Sequence, residues 1–159
     1  MESNASILHT TQNVYLDFSG QNCNGFYLRA NRCQSVVIKN LKIKVKTDST
    51  ATYGILAEYC TALIFSAYNY IVGTSSAYGY GMMFSYGSVG YALKNYVSTV
   101  WAGVGGYLNS QITSEGNDDT GTQPIYGLIV YNGAVIAKNS TQPAGSTANE
   151  SENTGGDIR

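Results

Sequence analysis

Five segments of this chain share one form, a glycine followed by an alternating apolar strand. They are Asn24-Gly25-Phe26-Tyr27-Leu28-Arg29, Tyr53-Gly54-Ile55-Leu56-Ala57-Glu58, Tyr80-Gly81-Met82-Met83-Phe84-Ser85, Ala102-Gly103-Val104-Gly105-Gly106-Tyr107 and Tyr126-Gly127-Leu128-Ile129-Val130-Tyr131. The glycines stand at 25, 54, 81, 103 and 127, in steps of 29, 27, 22 and 24 residues. The fourth copy is the weakest, with glycine in place of apolar residues. A period of 20–50 residues is the mark of a solenoid, propeller or array, and it restricts the fold more than any other feature here.

Each copy leads into a second short apolar run: Ser35–Lys39, Leu63–Ala67, Val89–Leu93 and Ala134–Ala137. An asparagine closes it. Asn40, Asn69 and Asn95 lie 15, 15 and 14 residues after their glycines, and Asn139 follows its glycine by 12. Asparagine tolerates left-handed backbone, so it can turn the chain sharply between strands. A third run follows at Leu41–Lys46, Tyr70–Val72 and Tyr96–Val100. The first of these alternates strictly, as a half-buried strand does. Variable loops, Thr47–Thr52, Gly73–Ala77 and Ser114–Gln123, end the units. No stretch combines helix formers with an apolar face of helical period.

Three short strands per unit of about 25 residues predict an all-β parallel β-helix of about five coils. Propeller blades need four strands and ~40 residues. A sandwich would show hairpin turns such as Asn-Gly, and Asn132-Gly133 leaves a terminal hairpin open. Residues 1–24 read as a leader and first strand, 25–137 as the repeats, and 138–159 as a loose polar tail.

Stacked coils lie ~4.8 Å apart, so equivalent positions become columns. Phe26, Ile55, Met82, Val104 and Leu128 form one inward column, and Leu28, Ala57, Phe84 and Val130 the next. Tyr27, Leu56, Met83 and Ile129 fall on an outward column, interrupted by Gly105. An exposed apolar stripe marks an interface, which predicts a homo-oligomer, a trimer, with these residues in the contact; the alternative is that a loop of the same chain covers the stripe. Arg29 and Glu58 meet on one outward column as an ion pair between coils. Six of the nine basic residues lie between Arg29 and Lys46. Of these, Lys42, Lys44 and Lys46 face one side of a strand, as a site for an acidic glycan or as a solvated row that protects a sheet edge.

Composition excludes several functions. The formal charge is −1 and only 12% of residues are charged, so nothing favours nucleic acid or an anionic membrane. No apolar run is long enough to span a bilayer, and no signal peptide is visible. Three cysteines without a CxxC pair, and one histidine, His9, point to no disulfide framework, metal or cofactor. His9 precedes the repeats, so a Ser-His-Asp arrangement lacks a base. Glu115, Asp118 and Asp119 cluster in the longest loop and are the candidates for calcium or for acid–base work on a sugar. The 14 tyrosines pair an apolar ring with a hydroxyl, which suits sugar stacking and protein contact. Tyr78, Tyr80 and Tyr86, near the Gly73–Ala77 loop, form the expected exposed cluster.

The Gly-Φ-x-Φ strand and the Asn-closed strand resemble the right-handed parallel β-helix of the pectate-lyase-like superfamily over Val14–Ala137, and Asn40, Asn69 and Asn95 look like its asparagine ladder. The charge-poor Ser/Thr/Gly/Tyr surface and the tail Gly145-Ser146-Thr147-Ala148-Asn149-Glu150, then Gly155-Gly156, resemble phage tailspike and tail-fibre proteins. The resemblance implies a homotrimeric structural and receptor-binding module for bacterial surface polysaccharide, on a virion tail or otherwise extracellular. A polysaccharide lyase or glycoside hydrolase domain, and a bacterial adhesin or injection-device fibre, are the alternatives. Of the polygalacturonase motifs only Asp118-Asp119 has a counterpart, so no active site carries over.

Overall fold

The computed structural model describes residues 5–7, 14–31, 33–48, 51–119 and 122–159. Its strands, in chain order, begin with β1 (Ala5–Ile7), β2 (Val14–Phe18), β3 (Phe26–Leu28), β4 (Ser35–Lys39), β5 (Leu41–Val45) and β6 (Tyr53–Glu58). They continue with β7 (Leu63–Ala67), β8 (Tyr70–Gly73), β9 (Tyr80–Ser85), β10 (Val89–Leu93), β11 (Tyr96–Ser98) and β12 (Ala102–Tyr107). The last are β13 (Gln111–Glu115), β14 (Tyr126–Tyr131), β15 (Val135–Asn139), β16 (Ala148–Asn153) and β17 (Asp157–Ile158). All strand pairing is parallel, and no helix occurs among the described residues.

Three parallel sheets form a β-solenoid of about five turns. The first, which carries the glycine repeat, is ordered β3-β6-β9-β12-β14-β16. The second is β1-β4-β7-β10-β13-β15-β17 and the third β2-β5-β8-β11. The expected register holds where Phe26, Ile55, Met82, Val104 and Leu128 stack rung on rung. These residues, with Ile38, Ile64, Ile71, Val97, Phe84 and Ile136, fill the interior; all except the half-buried Phe26 are completely buried.

The glycine column follows from this stacking. A Cβ on Gly81 would lie 2.6 Å from the Gly103 carbonyl oxygen of the next coil and 2.2 Å from Val97 Cγ1 of the third sheet. Gly54 has the same surroundings, with Gly81 O at 2.6 Å and Ile71 Cγ2 at 2.3 Å. The repeat therefore marks where the first sheet passes so close to the third that no side chain fits. Gly106 leaves its core position to the Ile112 side chain, and the Phe84 ring occupies the space beside Gly90.

Between the second and third sheets runs a column of buried asparagines, and it differs from the expected one. The rungs are Asn69, Asn95 and Asn117, each no more than 1% exposed. Each side chain accepts a backbone N–H from the coil before it and donates to a carbonyl of that coil. Asn95 Oδ1 accepts from Asn69 N at 3.1 Å, while its Nδ2 donates to Ser66 O at 2.9 Å. Asn117 repeats this with Asn95 N and Ala92 O, and Asn69 with Leu41 N and Ile38 O. Asn40 is not a rung. It stands one position earlier, at φ 58°, in the left-handed corner shared with Tyr68, Lys94, Gly116 and Ser140. The first coil has one more residue than the second between its first two strands, so an equal distance from the glycine lands one step short. In the last turn Gln142 Nε2 donates to Ser114 O at 2.9 Å, the carbonyl contact that a rung makes.

The segment 138–159 is also different from expectation. It forms β16 and β17, which add another level to the first and second sheets, and Ile158 is buried against the core. Apolar periodicity is missing there because Glu150 and Glu152 stand in β16 where β14 has Leu128 and Val130. Glu150 stacks on Leu128 and pairs with Lys138, and Glu152 Oε1 accepts the Ile158 N–H at 2.7 Å.

Two stability outcomes follow. Gly81→Ala, forced against backbone and Val97, is expected to cost about 3 kcal/mol, whereas Gly20→Ala, with open space around it, changes urea midpoints little. Asn117→Ala leaves a buried N–H and a buried carbonyl without partners and is expected to cost about 3 kcal/mol as well. A loss within 0.5 kcal/mol of zero would remove Asn117 from the ladder.

Candidate functional site

The outward column of the first sheet is not the open stripe that the alternation predicts. Leu56, Met83 and Ile129 are 8%, 5% and 1% exposed within the single chain; Tyr27, at the end of the column, is half exposed. The stripe is the floor of a trough whose walls are tyrosines of the same chain. Repetition explains the walls, because the residue before each glycine stacks into one column and the residues after each strand into another.

Tyr53 and Tyr80 stack in the first wall, 5.2 Å apart and 15° from parallel. Trp101 fills the place above Ala102, edge-on to Tyr80 at 5.4 Å and to Tyr126 at 5.1 Å. The opposite wall holds Tyr86, stacked on Tyr59 at 4.3 Å and edge-on to Tyr107 at 5.7 Å. Tyr59 and Tyr86 sit at φ 53° and 52°, a left-handed conformation that is unfavourable for bulky residues. Strain of this kind, about 1–2 kcal/mol per residue, is held where the surroundings fix it and gathers at functional sites.

Over Gly105 the two walls meet. A Cβ there would lie 3.2 Å from Tyr80 Cδ1, and the Tyr80 and Tyr131 hydroxyls interact across the trough. Burial pushes the Tyr80 phenol well above its ordinary range. Below this bridge a hollow of about 320 Å³ opens over Leu56 and Met83, with Glu58 at its rim.

Glu58 supplies the charge of the hollow. Its Oε2 accepts from the Tyr27 hydroxyl at 2.5 Å and from Arg29 Nη2 at 2.8 Å. The Arg29–Glu58 pair is the inter-coil ion pair the columns predict. The Tyr27 hydroxyl and then the Arg29 guanidinium hold the carboxyl below the usual range. Arg29 also lies 5.4 and 5.2 Å over the rings of Tyr27 and Tyr59.

The other expected site residues are dispersed. Tyr80 and Tyr86 line the trough, but Tyr78 does not. It is 51% exposed and borders a separate hollow of about 350 Å³ with Trp101, Ala51 and Ala77. The exposed cluster is therefore two sites on either side of Tyr80. Glu115 lies on β13, whereas Asp118 extends the third sheet by pairing with Tyr96, beyond the Asn117 corner. Asp118 Oδ1 accepts the Asp119 N–H at 2.7 Å. Asp119 is held above the usual carboxylate range chiefly by burial. Among the described residues no three acid, histidine or cysteine side chains form a metal-binding group. His9 and residues 120–121 of the acidic loop lie outside the described residues.

No protein-family model matches the sequence, and no curated protein or solved structure matches it.

Because the Glu58 carboxyl has a native pKa below its ordinary 4.5, its contribution to stability is complete above that value and fades as pH falls through the native pKa. The stability difference between the wild type and Glu58→Gln is therefore expected to shrink as pH is lowered from 6 to 3 in urea titrations. A difference that stays constant over that interval would remove the carboxylate as its source.

Proposed function

We propose that this chain is a glycan-binding solenoid and that the tyrosine trough of the first sheet is its binding face. The observation that carries this reading is the pair of left-handed tyrosines, Tyr59 and Tyr86, which present a stacked aromatic wall beside a hollow with apolar floor and one carboxylate. Aromatic rings with hydroxyl rims match the alternating CH faces and hydroxyls of a saccharide. A volume of about 320 Å³ is at the lower end for a small-molecule site and suits one or two sugar rings. The dispersed acids favour binding over cleavage: Glu58 is the trough's carboxylate, and it is tied to Tyr27 and Arg29.

The wider role we propose is that of a structural, receptor-binding segment of a phage tailspike or tail fibre that recognises bacterial surface polysaccharide as a homotrimer. The solenoid fold and the charge-poor, tyrosine-rich surface support it. The outward stripe adds nothing to it, since the chain covers that stripe itself. Light scattering is expected to return the mass of three chains; the mass of one would end the trimer.

Binding itself is tested on capsule and O-antigen oligosaccharides. A ligand found by array screening is expected to lose about tenfold in affinity with Tyr86→Asn, which keeps a residue tolerant of left-handed backbone and removes the ring. Tyr78→Ala is expected to leave affinity unchanged. Equal affinity of wild type and Tyr86→Asn, or new reducing ends released from the polysaccharide, would contradict a binding trough.

A further inference from the structure

The lysines of β5 have no edge to protect. In the third sheet β5 lies between β2 and β8, hydrogen-bonded on both sides. A row of like charges on an internal strand costs repulsion, so its position needs another reason.

The register builds an outward column of Tyr15, Lys42, Tyr70 and Tyr96. Lys42 Nζ lies 5.4 Å over the Tyr70 ring, and the other face of that ring is stacked on Tyr96 at 4.1 Å and 1°. A neighbouring outward column carries Asp17, Lys44 and Val72. Between the two columns is an open hollow of about 510 Å³, lined by Tyr15, Lys42, Ile43, Lys44, Tyr70 and Val72. Among the described residues neither Lys42 nor Lys44 forms an ion pair, while Lys46 is paired with Asp48 at 3.8 Å. Asp17 faces Lys44 across the register and feels its charge, and it accepts from the Ser19 hydroxyl and N–H and from the Tyr15 hydroxyl. Asp118 stands three rungs from Lys42, ~14 Å away at ordinary strand spacing.

We infer that this hollow is a second ligand site, on a different face from the trough, for a carboxylate-bearing saccharide such as a uronic acid unit. Lys42 and Lys44 supply the cations for the carboxylate. The Tyr15 hydroxyl, which donates to Asp17, keeps an acceptor lone pair for a sugar hydroxyl, and Val72 forms the apolar part of the floor. The Tyr70 ring also disfavours nucleic acid. Tyr70 is covered by Lys42 on one side and Tyr96 on the other, so a base finds no open ring to stack on there. This site does not depend on the trough, and each can fail alone.

The test uses the full chain and three hexasaccharides, of galacturonate, of mannuronate and of neutral maltose units, in calorimetric titrations. At least one uronate hexamer is expected to bind and maltohexaose is not. Lys42→Gln is expected to weaken uronate binding about tenfold, the effect of losing one charge-assisted contact. Raising NaCl from about 50 to 500 mM is expected to weaken it further. Lys138→Gln is expected to have no effect on it. Absence of binding to either uronate, equal binding of maltohexaose, or an unchanged affinity in Lys42→Gln would overturn the site. So would a single-stranded oligonucleotide or an anionic phosphatidylserine vesicle bound as well as the uronate and with the same dependence on Lys42.

Discussion

Each coil of this molecule is completed only by the coil above it and the coil below. The backbone hydrogen bonds run between coils, from Tyr96 N to Asn69 O and from Asp118 N to Asn95 O, for example, at 2.8 and 2.9 Å. A single turn has no partner for these groups and no interior of its own. Buried unpaired N–H and C=O groups are costly, so the stack must hold one register throughout. The asparagine rungs fix that register at the sharpest corner. Their amides satisfy one donor and one acceptor of the previous coil, and a slip of one residue would leave both unpaired.

Register turns single residues into columns, and the surface chemistry follows from it. A tyrosine before the glycine becomes a wall when it recurs; a tyrosine after the strand becomes the wall opposite. The left-handed corner is cheapest for glycine or asparagine, and Gly116, Asn132 and Asn40 use it in that way. Tyr59, Tyr68 and Tyr86 occupy the same corners at a cost that glycine would avoid. At Tyr59 and Tyr86 the stacked pair offsets part of this. The two faces diverge in charge as well. The trough holds one carboxylate, already bonded, whereas the third sheet presents two lysines without ion-pair partners among the described residues, with Asp17 opposite Lys44.

Much of the fold was legible in the primary structure because the glycine at the head of each unit is a steric requirement and could be counted. The inward columns followed from alternation. Where the reading failed, the cause was local. Asn117 was overlooked as a rung because it lies in a Gly/Asn-rich stretch after the most degenerate repeat, and Asn40 was taken for one because the first coil is a residue longer. The final strands escaped notice because β16 carries Glu150 and Glu152 where β14 carries Leu128 and Val130, which erases the periodicity that reveals a strand. The stripe was read as open since alternation tells which way a side chain points and not what leans over it. Tyr80, Tyr86 and Tyr131 cover it from positions that no pattern within one strand reveals. Of the site, Tyr80, Tyr86 and the Arg29–Glu58 pair were visible in the sequence; the bridge over Gly105 and the union of these residues in one trough were not.

Scalar couplings across hydrogen bonds, read by NMR on isotopically labelled protein, test the stacking most directly. The account predicts correlations from the Asn69 carbonyl carbon to the Tyr96 nitrogen and from the Asn95 carbonyl carbon to the Asp118 nitrogen, residues more than twenty positions apart in the chain. Correlations joining β6 to β9 or β7 to β10 in an antiparallel pattern, or none between these asparagines and the next coil, would contradict it.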